Sequence, residues 1–258
     1  MRLWGEASMN VEELSIGLER PPTRLALDQA ALFLDLDGTL APIVERPEDV
    51  RPEPRRNDLL DRLAVRLEGR LAVVSGRSLD DIDRILEGRV TSVAAIHGLV
   101  RRDARGVIGE ASPHPGIAPA RETLQAFAAS DARLLVEDKS LSLTLHYRLA
   151  PDRAREAVDL AERLATVTGL TLQPGDMVME LRTPGASKGD SIRAFMAETP
   201  FKGARPIFLG DDLTDEHGFF AVRQLGGYGV LVGPQRRTTA IYRMDDVEAA
   251  LSWLEAAQ

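Results

Sequence analysis

Cysteine is absent from the 258 residues of this chain. Its absence excludes a disulfide framework and any metal site that is built from thiolates. A chain without disulfides is compatible with a reducing compartment, where such bonds are rare. The chemistry of this protein therefore depends on side chains other than cysteine.

Long apolar runs and basic stripes are absent as well. No apolar run approaches the ~20 residues that span a bilayer, and the N-terminal segment has neither the basic nor the apolar region of a signal peptide. The net charge is −8, the pI is about 5.2, and no basic stripe offers a surface to nucleic acid. We therefore expect a soluble, cytoplasmic protein that binds neither membranes nor nucleic acid.

Nucleotide-binding motifs are missing or misplaced. The pattern G-x-x-x-x-G-K-[ST] does not occur, which excludes a P-loop protein. Gly227, Gly229 and Gly233 are spaced roughly as in a dinucleotide-binding loop, but they precede a predicted strand, whereas that loop follows one. The glycine spacing therefore does not support a nucleotide-binding function.

Short apolar runs alternate with longer stretches of helical pattern. The length and the 44% of hydrophobic residues suffice for one large or two small domains. The predicted strands are 31–36, 70–74, 92–96, 206–209 and 229–232, and the predicted helices are 55–67, 78–86, 188–198 and 246–256. Unbroken apolar runs that are separated by helices predict an α/β fold with a buried, doubly wound parallel sheet.

Polar residues follow the predicted strands at the point where each strand ends. The four clusters are Asp35 with Asp37, Ser75-Gly76-Arg77, His97-Gly98 and Gly210-Asp211-Asp212. Parallel sheets carry their sites beyond the carboxyl ends of the strands. We therefore expect these clusters to meet at one edge and to form an active site.

Residues 113–183 have a different pattern. A helix over 119–129 precedes strands at 133–137 and 141–148, and a helix over 151–168 precedes strands at 170–173 and 177–181. This αββαββ order predicts a small antiparallel sheet with helices on one face. The predicted domains are an N-terminal arm over 1–29, which is a short helix or a loose segment, a catalytic core over 30–112 and 184–258, and an inserted α+β cap over 113–183.

Asp35 and Asp37 end the first apolar run and are the first candidates for chemistry. Burying bare carboxylates is costly, so they are expected to bind a cation, to react, or both. A carboxylate can attack a phosphoryl group, and a second one can protonate the leaving alcohol and activate water. A calcium loop is the alternative, but Arg46 occupies the position where such a loop needs Glu.

Asp211, Asp212 and Asp215 form the second acidic cluster. Hard divalent ions prefer oxygen ligands. Asp35, Asp211 and the backbone carbonyl of Asp37 would suit Mg²⁺, with Asp212 and Asp215 close by or orienting its waters. The alternative is a helix N-cap followed by acids in the first turn.

Ser75 and Lys188 complete the set of candidates. The Ser75 hydroxyl could hydrogen-bond a phosphoryl oxygen, and Gly76 would let the backbone approach it. Lys188, near a predicted helix N-terminus, could balance the phosphate and the nucleophile. Either residue, taken alone, is more often a polar surface residue without a catalytic role.

The pattern D-x-D-G-T at 35–39 resembles the nucleophile motif of haloacid dehalogenase-like (HAD) phosphotransferases. In that superfamily the first Asp attacks phosphorus and the second transfers a proton. The four ordered HAD motifs match Asp35 with Asp37, then Ser75, Lys188, and Asp211 with Asp212 or Asp215. An Asp at position 37 favours a phosphatase or mutase over a dehalogenase, because a leaving alcohol needs a proton.

Further segments are similar to those of trehalose-6-phosphate phosphatases. They are 74–77, 96–98, 136–140, 146–148, 179–182 and 210–216. The resemblance covers about residues 30–235 and implies a HAD core, a C2-type cap and Mg²⁺-dependent hydrolysis of trehalose 6-phosphate. It also implies that the cap residues Glu137, Lys139 and Glu180 bind the sugar, and that Arg77 and His97 belong to the core side of the pocket. The predicted substrate contacts also include Asp35, Leu36, Asp37, Gly38, Thr39 and Gly76.

Other functions stay open at this point. The core binds the phosphate, so another phosphosugar such as sucrose 6-phosphate or mannosyl-3-phosphoglycerate is an alternative substrate. A mutase and a non-catalytic sugar-phosphate sensor are further alternatives. We expect a monomer, and functional coupling to a separate synthase is left open.

Overall fold

The computed structural model describes residues 17–257, which form two β-sheets and the helices that cover them. The strands are β1 (Ala30–Leu34), β2 (Leu71–Val74), β3 (Ser92–Ala95), β4 (Val100–Arg102), β5 (Ile108–Glu110), β6 (Leu135–Asp138), β7 (Ser142–His146), β8 (Thr171–Gly175), β9 (Val178–Arg182), β10 (Arg205–Gly210), β11 (Tyr228–Val232) and β12 (Tyr242–Met244). The α-helices are α1 (Pro54–Arg66), α2 (Leu79–Leu86), α3 (Ile117–Ala128), α4 (Ala154–Thr168), α5 (Lys188–Met196), α6 (Glu216–Gln224) and α7 (Val247–Glu255).

The larger sheet has the strand order β12-β11-β10-β1-β2-β3-β4-β5. Strand β1 lies near its centre, between β10 and β2, and pairs with both in parallel. All five β1 residues are buried, and their side chains alternate between two hydrophobic clusters. Leu32 and Leu34 pack with residues of α1, α2 and α7, whereas Phe33 packs with α5 and α6. Helices on both faces explain why this strand is apolar throughout.

One edge of the large sheet differs from the predicted parallel arrangement. Strands β4 and β5 form a hairpin that pairs antiparallel with β3 and extends the sheet beyond it. At the opposite edge, β12 follows β11, which was expected to be the last strand, and α6 was not predicted. The three missed strands have three residues each, and such short strands leave little pattern in a sequence.

The smaller sheet has the order β6-β7-β9-β8 and is antiparallel throughout. Helices α3 and α4 pack on one face of it and enclose a separate hydrophobic cluster, which includes Leu143, Leu145 and Leu181. The predicted order αββαββ is confirmed. The predicted fold class, an α/β core on a largely parallel sheet with an inserted α+β cap, is also confirmed, whereas the domain boundaries stay a prediction.

The predicted N-terminal arm is described only in part, because residues 1–16 lie outside the described range. From Gly17 to Gln29 the chain contains no helix. Leu25 and Leu27 are buried in the core cluster, and the Trp253 indole donates a hydrogen bond to the Pro22 carbonyl. This part of the arm therefore packs against the core. Within residues 17–257, every helix is too short or too polar to cross a bilayer.

Candidate active site

The candidate site begins at the carboxyl end of β1. The Asp35 backbone N–H donates to the Leu209 carbonyl of β10 at 2.9 Å, which extends the parallel pairing by one residue. The Asp35 side chain therefore lies at the junction of two central strands and is only 6% exposed. The predicted convergence at this sheet edge brings Asp35, Ser75, His97 and Asp211 to the walls of one cavity.

Lys188 bridges two buried carboxylates. Its Nζ lies 3.0 Å from Asp35 Oδ1 and 2.7 Å from Asp215 Oδ1. Burial acts to lower the pKa of Lys188, but the charges of Asp215 and Asp35 outweigh it and hold the pKa above its usual value. The lysine is therefore a fixed positive charge beside the proposed nucleophile.

Three carboxylates could hold a metal ion. Oxygen atoms of Asp35, Asp211 and Asp215 all lie within 4.8 Å of one another. Burial, and then the charges of neighbouring carboxylates, raise the pKa of Asp211 to about 7. Burial also raises the pKa values of Asp35 and Asp215. A cation would relieve this repulsion, and an all-oxygen donor set fits a hard divalent ion.

Asp215 is fully buried, and both of its oxygens have partners. Oδ1 accepts from Lys188, and Oδ2 accepts from the backbone N–H groups of Asp211 and Asp212. Gly210 leaves room for it, since a Cβ there would lie 2.4 Å from the Asp215 Cγ. Asp215 thus fixes the loop that carries Asp211.

Two other predicted metal residues lie outside this group of three carboxylates. Asp212 accepts from the Thr214 backbone and hydroxyl at 2.7 and 2.6 Å and caps a short 3₁₀ helix. Asp37 forms a two-pronged ion pair with Arg77, at 2.7 and 2.8 Å. Arg77 also donates to the Pro47 carbonyl. Burial acts to lower the pKa of Arg77, but the Asp37 hydrogen bonds and charge raise it overall.

The turn after Asp35 is built by backbone bonds. The Leu36 carbonyl accepts from the N–H groups of Leu40 and Ala41 at 2.9 and 2.8 Å. Gly38 has φ +77°, and a Cβ on it would lie 2.1 Å from Asp211 Oδ2. The Thr39 hydroxyl is buried and has no partner within the described part of the chain. Leu36, Gly38 and Thr39 shape this turn but do not line the cavity.

The loop after β2 lies against His97. The Ser75 carbonyl accepts from the His97 N–H at 3.0 Å, and the Ser75 hydroxyl accepts from the Arg77 N–H at 3.3 Å. A Cβ on Gly76 would lie 2.5 Å from His97 Nε2. Glycine at this position therefore makes room for the imidazole.

Cap residues complete the site across the domain seam. Lys139 Nζ donates to the Gly76 carbonyl at 3.0 Å and lies 3.5 Å from Glu137 Oε1. Glu137 Oε2 lies 3.0 Å from His146 Nε2. Burial acts to raise the pKa of Glu137, but His146 and Lys139 lower it overall.

His97 makes the second contact across the seam. Its Nε2 lies 2.9 Å from Glu180 Oε2 and 3.0 Å from the side-chain nitrogen of Gln173. Burial lowers the pKa of His97 although Glu180 opposes this. For Glu180, burial acts to raise the pKa, but its interactions with His97 and Lys139 outweigh the effect of burial, so the pKa lies well below the usual range.

A cavity of about 290 Å³ joins the two sets of residues. Its walls include most predicted site residues, namely Asp35, Asp37, Ser75, Gly76, Arg77, His97, Glu137, Lys139, Glu180, Lys188, Asp211 and Asp212. Sequence reasoning missed Thr144 and Gln173, and it assigned no role to His146 and Arg148, yet all four line the cavity. The alternating pattern of β7, with apolar residues at 143 and 145, could have identified Thr144 and His146 as neighbours on the polar face.

Gly185-Ala186-Ser187-Lys188-Gly189 matches the serine-hydrolase pattern G-x-S-x-G. The Ser187 hydroxyl, however, accepts from the Asp190 N–H and donates to its carboxylate, so that it caps α5. The strand that precedes the segment, β9, belongs to the small antiparallel sheet, whereas the serine-hydrolase turn follows a strand of the main α/β sheet. This serine is therefore not placed as a nucleophile.

Comparison with known proteins identifies relatives. The family model for trehalose-phosphatase matches residues 33–248. A probable trehalose-phosphate phosphatase of Sinorhizobium fredii is 41% identical over 210 residues, which are 81% of this chain and 79% of the relative. The trehalose-6-phosphate phosphatase of Escherichia coli is 39% identical over 229 residues, 87% of this chain and 85% of the relative.

One solved structure and one bifunctional relative are also similar to this chain. The crystal structure of a trehalose-6-phosphate phosphatase related protein matches with a TM-score of 0.74 and 28% identity, over 87% of this chain and 95% of the other. A bifunctional trehalose-6-phosphate synthase/phosphatase of Thermoproteus tenax is 31% identical over 96% of this chain, which corresponds to 33% of its own length. The predicted enzyme class is confirmed, and this chain belongs to the trehalose-phosphatase family.

Proposed function

We propose that this chain hydrolyses trehalose 6-phosphate to trehalose and phosphate. The observation that carries the proposal is a buried Asp35 carboxylate beside Lys188, facing a cavity whose opposite wall is polar and belongs to the cap. A phosphate is attracted to the lysine, and hydroxyl groups are attracted to the polar wall. Relatives named for this activity at 39–41% identity support the choice of sugar.

The proposed reaction has two steps. An Asp35 oxygen attacks phosphorus, the bond between phosphorus and the sugar oxygen breaks, and Asp37 protonates the departing sugar oxygen. Water then attacks the aspartyl phosphate, Asp37 takes its proton, and phosphate leaves with Asp35 restored. Both Asp37 oxygens accept from Arg77 in this structure, so this ion pair must loosen and Asp37 must take up a proton from solvent before the first step; the second step then restores that proton.

We propose Mg²⁺ as the cation of the acidic site, with Asp35 and Asp211 as ligands. Such an ion neutralises developing charge on phosphoryl oxygens. Lys188 supplies a further positive charge beside Asp35, and Asp215 fixes the positions of Lys188 and of the Asp211 loop. Most of the catalytic effect then comes from positioning and charge stabilisation.

The sugar is proposed to bind Glu137, Lys139 and Glu180 of the cap together with Arg77 and His97 of the core. Charged partners strengthen hydrogen bonds to hydroxyl groups. The cavity walls contain both donors and acceptors, as a ligand with many hydroxyls requires. Core residues that contact only the phosphate cannot distinguish one sugar from another. Specificity is therefore expected to depend on the residues that contact the sugar, most of which belong to the cap.

Another phosphosugar is the second candidate, since the Asp35–Lys188 arrangement suits any phosphate monoester. The deciding experiment measures phosphate release with Mg²⁺ from trehalose 6-phosphate, glucose 6-phosphate, sucrose 6-phosphate and mannosyl-3-phosphoglycerate. We expect trehalose 6-phosphate to have by far the highest kcat/KM. A preference for another sugar would overturn the substrate and keep the chemistry. Tight binding without turnover would favour the sensor.

The same assay tests the nucleophile. Asp35→Asn removes the attacking oxygen while keeping the size of the side chain, so turnover should fall by at least 10³-fold, on the scale of lost covalent catalysis. Asp58→Asn, on the exposed face of α1, serves as the matched control and should be fully active. Substantial activity of a folded Asp35→Asn variant contradicts the assignment. The monomeric state, the cytoplasmic location and coupling to a synthase stay predictions.

A further inference from the structure

One row of side chains crosses the whole cap sheet. The strand register places Glu137 opposite Thr144, Thr144 opposite Glu180, and Glu180 opposite Gln173. All four line the cavity. Since neighbouring strands are ~4.8 Å apart, the row is roughly 14 Å long from end to end. It therefore forms a continuous polar strip along the cap wall.

Gln173, His97 and Glu180 cannot all be paired with one another. Its amide nitrogen lies 3.0 Å from His97 Nε2 and 3.4 Å from Glu180 Oε2, while His97 Nε2 also lies 2.9 Å from Glu180 Oε2. If His97 Nε2 donates to Glu180, an N–H group of Gln173 faces another N–H group. If the amide is turned over, its carbonyl faces the carboxylate. If His97 Nε2 is unprotonated, Gln173 donates to it, but the lone pairs of His97 Nε2 and Glu180 Oε2 then face each other. In none of these arrangements are all three groups well paired.

Other polar atoms of the same strip have no partner. Thr144 Oγ1 and Glu180 Oε1 are buried and make no hydrogen bond to any described residue, and neither does His97 Nδ1. Leaving such buried atoms unpaired destabilises the empty site. A ligand with hydroxyl groups, each of which both donates and accepts, would satisfy several of them at once.

We propose that Gln173, assisted by Thr144, is a specificity-determining residue that binds hydroxyl groups of the sugar. This inference rests on the proposed function and extends the sugar contacts beyond the charged residues of the cap. Gln173 binds the sugar in place of the unfavourable contact with His97. Thr144 adds a hydroxyl in the centre of the strip, next to Glu180.

The test compares two phosphate esters, one with a sugar and one without. Gln173→Met keeps the length of the side chain but removes both polar atoms. We expect kcat/KM for trehalose 6-phosphate to fall about tenfold, with most of the change in KM, while kcat/KM for p-nitrophenyl phosphate stays within twofold. Thr144→Val should give a smaller loss of the same kind. Gln125→Met, on an exposed position of α3, is the matched control and should change neither value.

A purely structural role for Gln173 predicts equal losses with both esters, because a misplaced His97 or cap affects every substrate. That result overturns the inference, and so does an unchanged preference for trehalose 6-phosphate. If the wild type itself does not prefer trehalose 6-phosphate over p-nitrophenyl phosphate, the proposed function fails and this inference fails with it. Should Gln173→Met not fold, Gln173→Asn, which shortens the side chain by one methylene, gives the same comparison.

Discussion

Close approach of Asp211 to the backbone determines which residue can occupy position 38. The positive φ of +77° favours glycine, and the Asp211 carboxylate lies where a Cβ would be, 2.1 Å away. Gly106 has a similar φ of +82°, yet a Cβ there meets nothing within 4 Å. The two glycines therefore share a backbone conformation and differ in their surroundings.

The first prediction uses this pair. Gly38→Ala and Gly106→Ala should each lower the free energy of unfolding by about 1 kcal/mol or more, because alanine disfavours left-handed backbone. Only Gly38→Ala should displace Asp211, so only this variant should need several-fold more Mg²⁺ for half-maximal activity. Urea unfolding and Mg²⁺ titration of activity measure the two effects. An unchanged Mg²⁺ requirement in Gly38→Ala would argue against Asp211 as a metal ligand.

Helix α5 presents Lys188 to the site from its first turn. The Ser187 hydroxyl accepts from the Asp190 N–H, and the Asp190 carboxylate accepts from the Ser187 N–H, which forms a capping box. Lys188 is the first residue of the helix and is 3% exposed. The capping box thus fixes the backbone at the residue next to the lysine. Helix α7 offers a comparable cap outside the cavity, where Asp246 accepts from the Ala249 N–H at 2.8 Å.

The second prediction compares these two caps. Ser187→Ala and Asp246→Ala should each cost about 1 kcal/mol of stability, the usual value for a lost N-cap. Ser187→Ala should also lower kcat several-fold because the backbone that positions Lys188 loosens. Asp246→Ala should leave kcat unchanged. Chemical unfolding measures the stability, and steady-state kinetics measures kcat. Equal kcat values in the two variants would mean that the capping box at Ser187 does not position the lysine.

His97 takes part in two of the polar contacts between the cap and the core. It contacts Glu180 and Gln173, and the charges of Lys139 and Lys188 also act on it. Burial lowers the pKa of His97, so the folded protein favours the neutral imidazole. Such a group contributes its full stability above the ordinary histidine pKa of about 6.5 and loses it as the pH falls below that value.

The third prediction follows from this loss of stability at low pH. Stability of the wild type should decrease between pH 8 and pH 5.5, and His97→Gln should show a smaller decrease, because no group at position 97 takes up a proton. His217→Gln, at an exposed position of α6, should behave like the wild type. Urea unfolding at both pH values measures the difference. If His97→Gln loses as much stability as the wild type, the buried imidazole is not the source of the pH dependence.

Much of the fold could be predicted because local pattern and tertiary position agree. The apolar run of β1 is buried on both faces, and the alternation in β7 separates a hydrophobic face from a face toward the cavity. The hairpin of β4 and β5 was missed, since its second strand is exposed and carries no apolar pattern. The motifs identified the residues that carry the expected chemistry. They did not identify the side chains with which these residues pair.

Most strands and helices, the capped α/β class and the acidic, serine and lysine residues of the site could be predicted from the sequence alone. These follow from hydrophobic period and from short motifs, both of which are local. The tertiary structure was needed to show that Arg77 binds Asp37, that Asp215 holds Lys188 and that Gln173 faces His97. Such pairs join residues far apart in the chain, and their choice depends on strand register and cap closure, which no local pattern records.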